Sequence, residues 1–326
     1  MHHINKIKFF IVLFPVLFSL PFFGQNTPVK NQDSSYIEKT LILQMDTISI
    51  EGTLLLPSIK GKIPIALIIA GSGPTDRNGN NPVMQNNSLK MLAEGLAKNN
   101  IASLRYDKRG IGKSKIKNLK ESDLRFENYI NDAIKWIEKL KKDSSFGKII
   151  IIGHSEGSLI GMIAAQKSPV DKYISLSGTG KSANQIIRDQ LKSQPDYVRA
   201  PAIKILEILE KGDTTHSVPQ FLYSLFRPEV QPYMISWFKY NPAKEIQKLD
   251  IPVLLIQGTT DIQVSTENLD LLKKAKPEAD TLLIPGMNHI LKEAPIDRMK
   301  NIETYYKPDL PLVKGLVQKI TKFINS

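Results

Sequence analysis

Residues 153–157 read Gly-His-Ser-Glu-Gly. A serine with glycine two positions to either side fits a turn too sharp for side chains at Gly153 and Gly157. The run Lys148–Ile152 before it reads as a strand, and Glu156–Gln166 after it as a helix rich in small residues. That strand–turn–helix setting holds Ser155 out from the end of a sheet. The helix N-terminus then presents partial positive charge to an oxyanion forming there. A serine hydroxyl is a weak nucleophile until a base removes its proton. Beyond Gly24 the chain has three histidines, His154, His216 and His289. His154 is committed to the turn, and His216 sits among polar residues and reads as a surface side chain. His289 lies in Pro285–His289, just past a strand near the C-terminus, and is the expected base. A base needs an acid to fix its tautomer. Asp261 follows the strand Val253–Gln257 through Gly258–Thr259–Thr260. The chain order Ser155, Asp261, His289 is the one used when such a turn sits on a parallel sheet.

A tetrahedral intermediate also needs hydrogen-bond donors. The expected pair is the backbone N–H of Glu156 and that of Ser72, with the N–H of Gly73 as the alternative to the second. Ser72 lies in Ala70–Pro74, where glycines let backbone approach a substrate. The same loop runs on through Asp76–Asn80, which reads residue by residue as a polar turn, with a buried Asp76–Arg77 network bracing the loop as the other reading. Asp107–Ser114 follows another strand and carries two glycines, but neither dinucleotide spacing nor a phosphate loop fits. It reads as a structural turn.

These residues need a frame. From Tyr36 to Leu56, two runs of β-formers flank Met45–Asp46–Thr47, which predicts an antiparallel hairpin. Strands at Ile65–Ala70, Ile101–Tyr106, Lys148–Ile152, Tyr173–Leu176, Val253–Gln257 and Thr281–Ile284 alternate with helices at Ser88–Asn99, around Phe126–Lys142 and at Glu156–Gln166. That rhythm predicts an α/β fold, a mostly parallel central sheet flanked by helices. It breaks at about 181–249, where helical pieces such as Ala202–Glu210 carry many aromatics. A break of that length inside one sheet reads as a helical lid insertion. Leu310–Asn325 reads as a closing amphipathic helix.

The 326 residues carry a net charge of +12. Lys6 and Lys8 precede a short apolar run, Phe9–Phe23, which reads as a cleaved signal peptide over 1–24 and implies a secreted or periplasmic protein. Residues 25–326 then form a single domain of net charge +10, that is +12 less two lysines. No other segment predicts stable membrane insertion. The lysines are scattered and no nucleic-acid module is recognisable. The absence of cysteine excludes disulfides, thiolate metal sites and a cysteine nucleophile.

Over roughly residues 36–326 the chain resembles the bacterial α/β-hydrolase superfamily. Asp107–Ser114 is similar to that superfamily's D-x-R-G-x-G-x-S turn. Gly71–Asn80 (GSGPTDRNGN) and Gly258–Val264 (GTTDIQV) resemble a narrower set of secreted carboxylesterases related to serine aminopeptidase-like hydrolases. The resemblance implies the α/β-hydrolase fold and hydrolysis of small-molecule carboxylic esters, with no metal or organic cofactor. Ala70 departs from the pattern, since many relatives have histidine before the glycine of this loop. Amide cleavage, as an aminopeptidase or acyl-peptide hydrolase, is the rival activity. It would favour an acidic lid group such as Glu207, Glu210 or Asp213 to hold a free amine. A non-catalytic binding protein on the same fold is the rival of another class. The mixed aromatic and charged character of 181–249 suits a lid closing a small pocket, with best acyl chains of about two to six carbons.

Overall fold

The computed structural model describes residues 35–45 and 48–326. The segment read as a signal and the Asp46–Thr47 part of the hairpin turn lie outside the described residues. Eight strands form one sheet: β1 Tyr36–Met45, β2 Ile48–Pro57, β3 Ile63–Ile69, β4 Ala102–Tyr106, β5 Phe146–His154, β6 Lys172–Leu176, β7 Val253–Gly258 and β8 Asp280–Ile284. Their order is β1-β2-β4-β3-β5-β6-β7-β8. The pairs β1–β2 and β2–β4 are antiparallel and the rest parallel.

The central strands are apolar throughout because both faces of the sheet are covered. On β5, Ile149 and Ile151 join one apolar cluster while Ile150 and Ile152 join the other. The first cluster takes in helices α2 Phe126–Lys141 and α3 Glu156–Lys167. The second takes in α1 Ser88–Ala97 and the last helix, Leu316–Asn325. That last helix starts six residues later than the sequence pattern suggests. Leu312 is held extended in a bridge to Lys292, and Gly315 is left-handed at φ +85°, so the helical path begins only after it.

Chain direction across the sheet reverses at β3. The connection from β3 leads to β4 on one side, while β5 pairs with β3 on the other. The loops after β3 and β5 therefore diverge, leaving a crevice at the carboxyl ends of the strands.

Between β6 and β7 the chain forms α4 Ala183–Leu191, α5 Asp196–Glu210, α6 Tyr223–Phe226, α7 Gln231–Phe238 and α8 Pro242–Ile246. Ile187, Leu191, Ile205, Leu206, Leu209 and Phe226 give this insertion an apolar cluster of its own. It is seated on α2. Trp237 stacks on Phe126 with ring centroids 5.8 Å apart, and Tyr233 and Tyr240 pack against the same ring. After β7 come α9 Glu267–Ala275, then α10 Arg298–Glu303, and Leu316–Asn325 is α11. Among the described residues, no helix is long and apolar enough to cross a membrane.

Candidate active site

Ser155 sits between β5 and α3 with φ +54° and ψ −120°. A non-glycine residue there is strained, and only surrounding structure holds it. The two glycines make that possible. A Cβ on Gly153 would meet the Gly157 carbonyl, and one on Gly157 would meet the carbonyls of Ile69 and Ala70. The helix can therefore descend onto β5 and β3 only with glycine at both places. The Ser155 N–H donates to Leu176 O at 2.9 Å, tying the turn to β6.

His289 and Asp261 come from the loops after β8 and β7, which are neighbours in the sheet. Gly258 permits the two loops to lie together, since a Cβ there would strike Met287 O. His289 Nδ1 lies 2.8 Å from Asp261 Oδ2. Asp261 also accepts from the N–H groups of Gln263 at 2.8 Å and Val264 at 2.9 Å, and from Gln257 Nε2 at 3.0 Å. Burial pushes the Asp261 carboxyl up, but His289 and the two N–H groups outweigh it and hold the group below its ordinary value. An ionised carboxylate can only accept. The proton in that bond therefore sits on His289 Nδ1.

Ser155, His289, Gly71 and Ser72 line one pocket. Among the described residues, no group accepts from the Ser72 N–H or the Glu156 N–H. The Glu156 side chain is buried, turned inward rather than toward the pocket. Met84, Ile290 and Tyr305 form a small apolar cluster separate from the core, and all three line the pocket. No residue of the insertion lines it. Glu207, Glu210 and Asp213 are exposed at the surface, with Glu210 paired to Arg188 at 2.7 Å. His216 is exposed in the insertion.

The brace on the loop after β3 differs from an Asp76–Arg77 network. Arg77 turns away from its neighbour and donates to Asp107 at 2.7 Å, Glu51 at 2.9 Å and Thr53 at 2.9 Å. Asp76 instead accepts from the N–H groups of Asn78 and Asn80 and closes the local turn. Asp107 opens the turn read as structural, and it accepts from the Lys113 N–H at 2.8 Å as well. Two side chains gain a place that their sequence context did not suggest. Lys108, read as part of a turn, is buried and donates to Gly71 O and to Glu156. His154 also lines the pocket, and its Nε2 donates to His289 O at 2.7 Å. Burial, helped by His289, lowers His154 to about 3, so it stays neutral. Among the described residues, no group of three or more His, Cys, Asp or Glu is placed to hold a metal ion.

Comparison with known proteins agrees with this architecture. The family described as serine aminopeptidase, S33, matches residues 85–210. Esterase EstD of Thermotoga maritima is 26% identical over 291 residues, covering 86% of this chain and 68% of that protein. Est1E of Butyrivibrio proteoclasticus, solved with ferulic acid bound, superposes with a TM-score of 0.58 at 19% identity, covering 87% of this chain and 96% of its own. The Pyrococcus furiosus esterase Pf2001 gives 0.58 at 17% identity, covering 94% and 96%. With its strained serine turn on an eight-stranded, mostly parallel sheet, the chain has the α/β-hydrolase fold.

Proposed function

We propose that the chain is a serine esterase in which Ser155 is the nucleophile, His289 the base and Asp261 the acid that orients it. The observation that carries this reading is the His289–Asp261 hydrogen bond, on a histidine sharing a pocket with the strained Ser155. Ser155 Oγ attacks the ester carbonyl as His289 Nε2 takes its proton. The carbonyl electrons move to oxygen, which the N–H groups of Ser72 and Glu156 stabilise. Collapse expels the alcohol, protonated by His289, and leaves an acyl-enzyme. Water activated by the same imidazole then releases the acid.

Ester cleavage is favoured over aminopeptidase action because the residues lining the pocket include no carboxylate. A buried ammonium without an anionic partner is costly. Met84, Ile290 and Tyr305 make the apolar wall for the acyl chain. Each methylene buried there contributes about 0.8 kcal/mol until the wall is covered. Short acyl chains of about two to six carbons are therefore the best substrates, and the wall that selects them lies outside the insertion. Residues 1–24 serve as an export signal, and the mature enzyme works outside the cytoplasm.

A p-nitrophenyl ester series tests the reading, run beside an aminoacyl amide. The expected result is a maximum in kcat/KM within two to six carbons and little amide cleavage. A maximum at ten carbons or beyond would contradict the short wall, and faster amide than ester cleavage would favour the peptidase.

A further inference from the structure

Four residues from distant parts of the chain meet in a buried cluster directly behind Ser155. Lys108, only 1% exposed, donates through Nζ to Gly71 O at 2.5 Å and to Glu156 Oε2 at 3.1 Å. It also lies 5.3 Å from the centre of the Tyr129 ring. The other carboxylate oxygen of Glu156, Oε1, accepts from the hydroxyl of Tyr233. Burial, together with the Glu156 carboxylate, pushes the Tyr233 phenol well above its ordinary value, so it remains a donor.

Two of these contacts act on the two expected oxyanion donors. In a trans peptide the C=O and the following N–H point in opposite directions. Anchoring Gly71 O to Lys108 therefore turns the Ser72 N–H away from Lys108, and a flip of that peptide would break the charge-assisted bond. Glu156 supplies the second donor through its backbone, and its carboxylate is gripped by Lys108 on one oxygen and Tyr233 on the other. Tyr233 belongs to α7 of the insertion, whose ring packs on Phe126 and Tyr129 of α2. A single chain of contacts thus runs from the insertion to both donors.

We propose that Lys108, Glu156 and Tyr233 are positioning residues that set the oxyanion hole, and that the seating of the insertion reaches the chemistry through the Tyr233 hydroxyl. This rests on the esterase reading above. The insertion thereby contributes to the stabilisation of the transition state without lining the pocket.

The test compares two variants that remove one hydroxyl each from the insertion. Tyr233→Phe keeps the ring and its packing but loses the bond to Glu156. Tyr240→Phe loses a bond of the same kind, to Glu127 Oε1 at 3.0 Å on α2, remote from the oxyanion loop. Tyr233→Phe is expected to lower kcat about tenfold with KM changed less than about twofold, the pattern of an interaction made only in the transition state. Affinity for a short-chain trifluoromethyl ketone should fall in parallel. Ser155 Oγ adds to that carbonyl, the proton passes to His289, and the resulting oxyanion sits between the same donors. Tyr240→Phe should match the wild type in all three measurements. The double variant Lys108→Met/Glu156→Gln, which leaves neither charge buried alone, should lose about 100-fold in kcat, as for removal of an oxyanion donor. The proposal is overturned if Tyr233→Phe turns over like the wild type, if ketone affinity does not follow kcat, or if Tyr240→Phe loses as much. A wild type that cleaves esters beside an unaffected Tyr233→Phe removes the coupling alone. A wild type that cleaves no ester removes the esterase reading and the coupling with it.

Discussion

The loop region around Ser72 and the insertion between β6 and β7 both carry many charges, but they handle them differently. Around the loop, the side chains of Arg77, Asp107, Lys108 and Glu156 are 8%, 3%, 2% and 1% exposed. In the insertion, Lys181, Asp189, Arg188 and Glu210 are 22%, 34%, 31% and 28% exposed, and an apolar cluster provides the packing. Buried pairs are poor sources of stability but leave few alternative arrangements, since each group must find its partner. Half-exposed pairs contribute little and tolerate exchange for water. The charge-locked region is the one that carries Gly71 and Ser72 into the pocket beside Ser155. The insertion, by contrast, is held by its own apolar cluster and by aromatics seated on α2.

That contrast predicts unequal penalties. Arg77→Met strands Asp107 and Glu51 without their common partner, and should destabilise the fold by about 3–5 kcal/mol in denaturant unfolding. A loss below about 1 kcal/mol would mean the network is not a brace. His154 gives an effect of definite sign that is spread over a range of pH. Burial lowers it to about 3 in the folded protein, against about 6.5 in an unfolded chain. Between those values the unfolded chain binds a proton that the folded one refuses, so stability falls as pH falls through this window. The slope is at most about 1.4 kcal/mol per pH unit. His154→Gln should show a shallower slope from pH 6.5 to 3, and equal slopes would remove the argument. Smallest is Arg188→Ala in the insertion, which should change stability by less than about 1 kcal/mol and leave kcat/KM unaltered.

Much of the sheet was legible because β-branched runs buried on both faces have no other reading, as at Lys148–Ile152. The ends were less so. The pattern of Leu310–Asn325 is amphipathic throughout, but the Leu312–Lys292 bridge and the left-handed Gly315 delay the helix to Leu316. Helix α9 is nine residues with only three leucines, too short a signal to stand out beside a strand. Ser155, Asp261 and His289 could be picked out because each follows a strand and the histidines are few. Lys108 and Tyr233 could not. Lys108 stands in Asp-Lys-Arg-Gly, which reads as a solvated turn. Its burial comes from the meeting of residues 71, 108, 156 and 233, which no local pattern encodes. Arg77 was legible as a brace but not its partner, since Asp107 lies thirty residues away and comes beside the loop after β3 through the β3–β4 pairing.

The central claim is that Ser155 is the nucleophile, and labelling with a fluorophosphonate tests it most directly. Fluoride leaves as Ser155 Oγ bonds to phosphorus, and His289 takes the serine proton. The wild type should gain one adduct, located by peptide mass at Ser155. Ser155→Ala should fold, gain no adduct and lose several orders of magnitude in kcat. An adduct that survives this substitution, or that maps to another residue, would contradict the assignment.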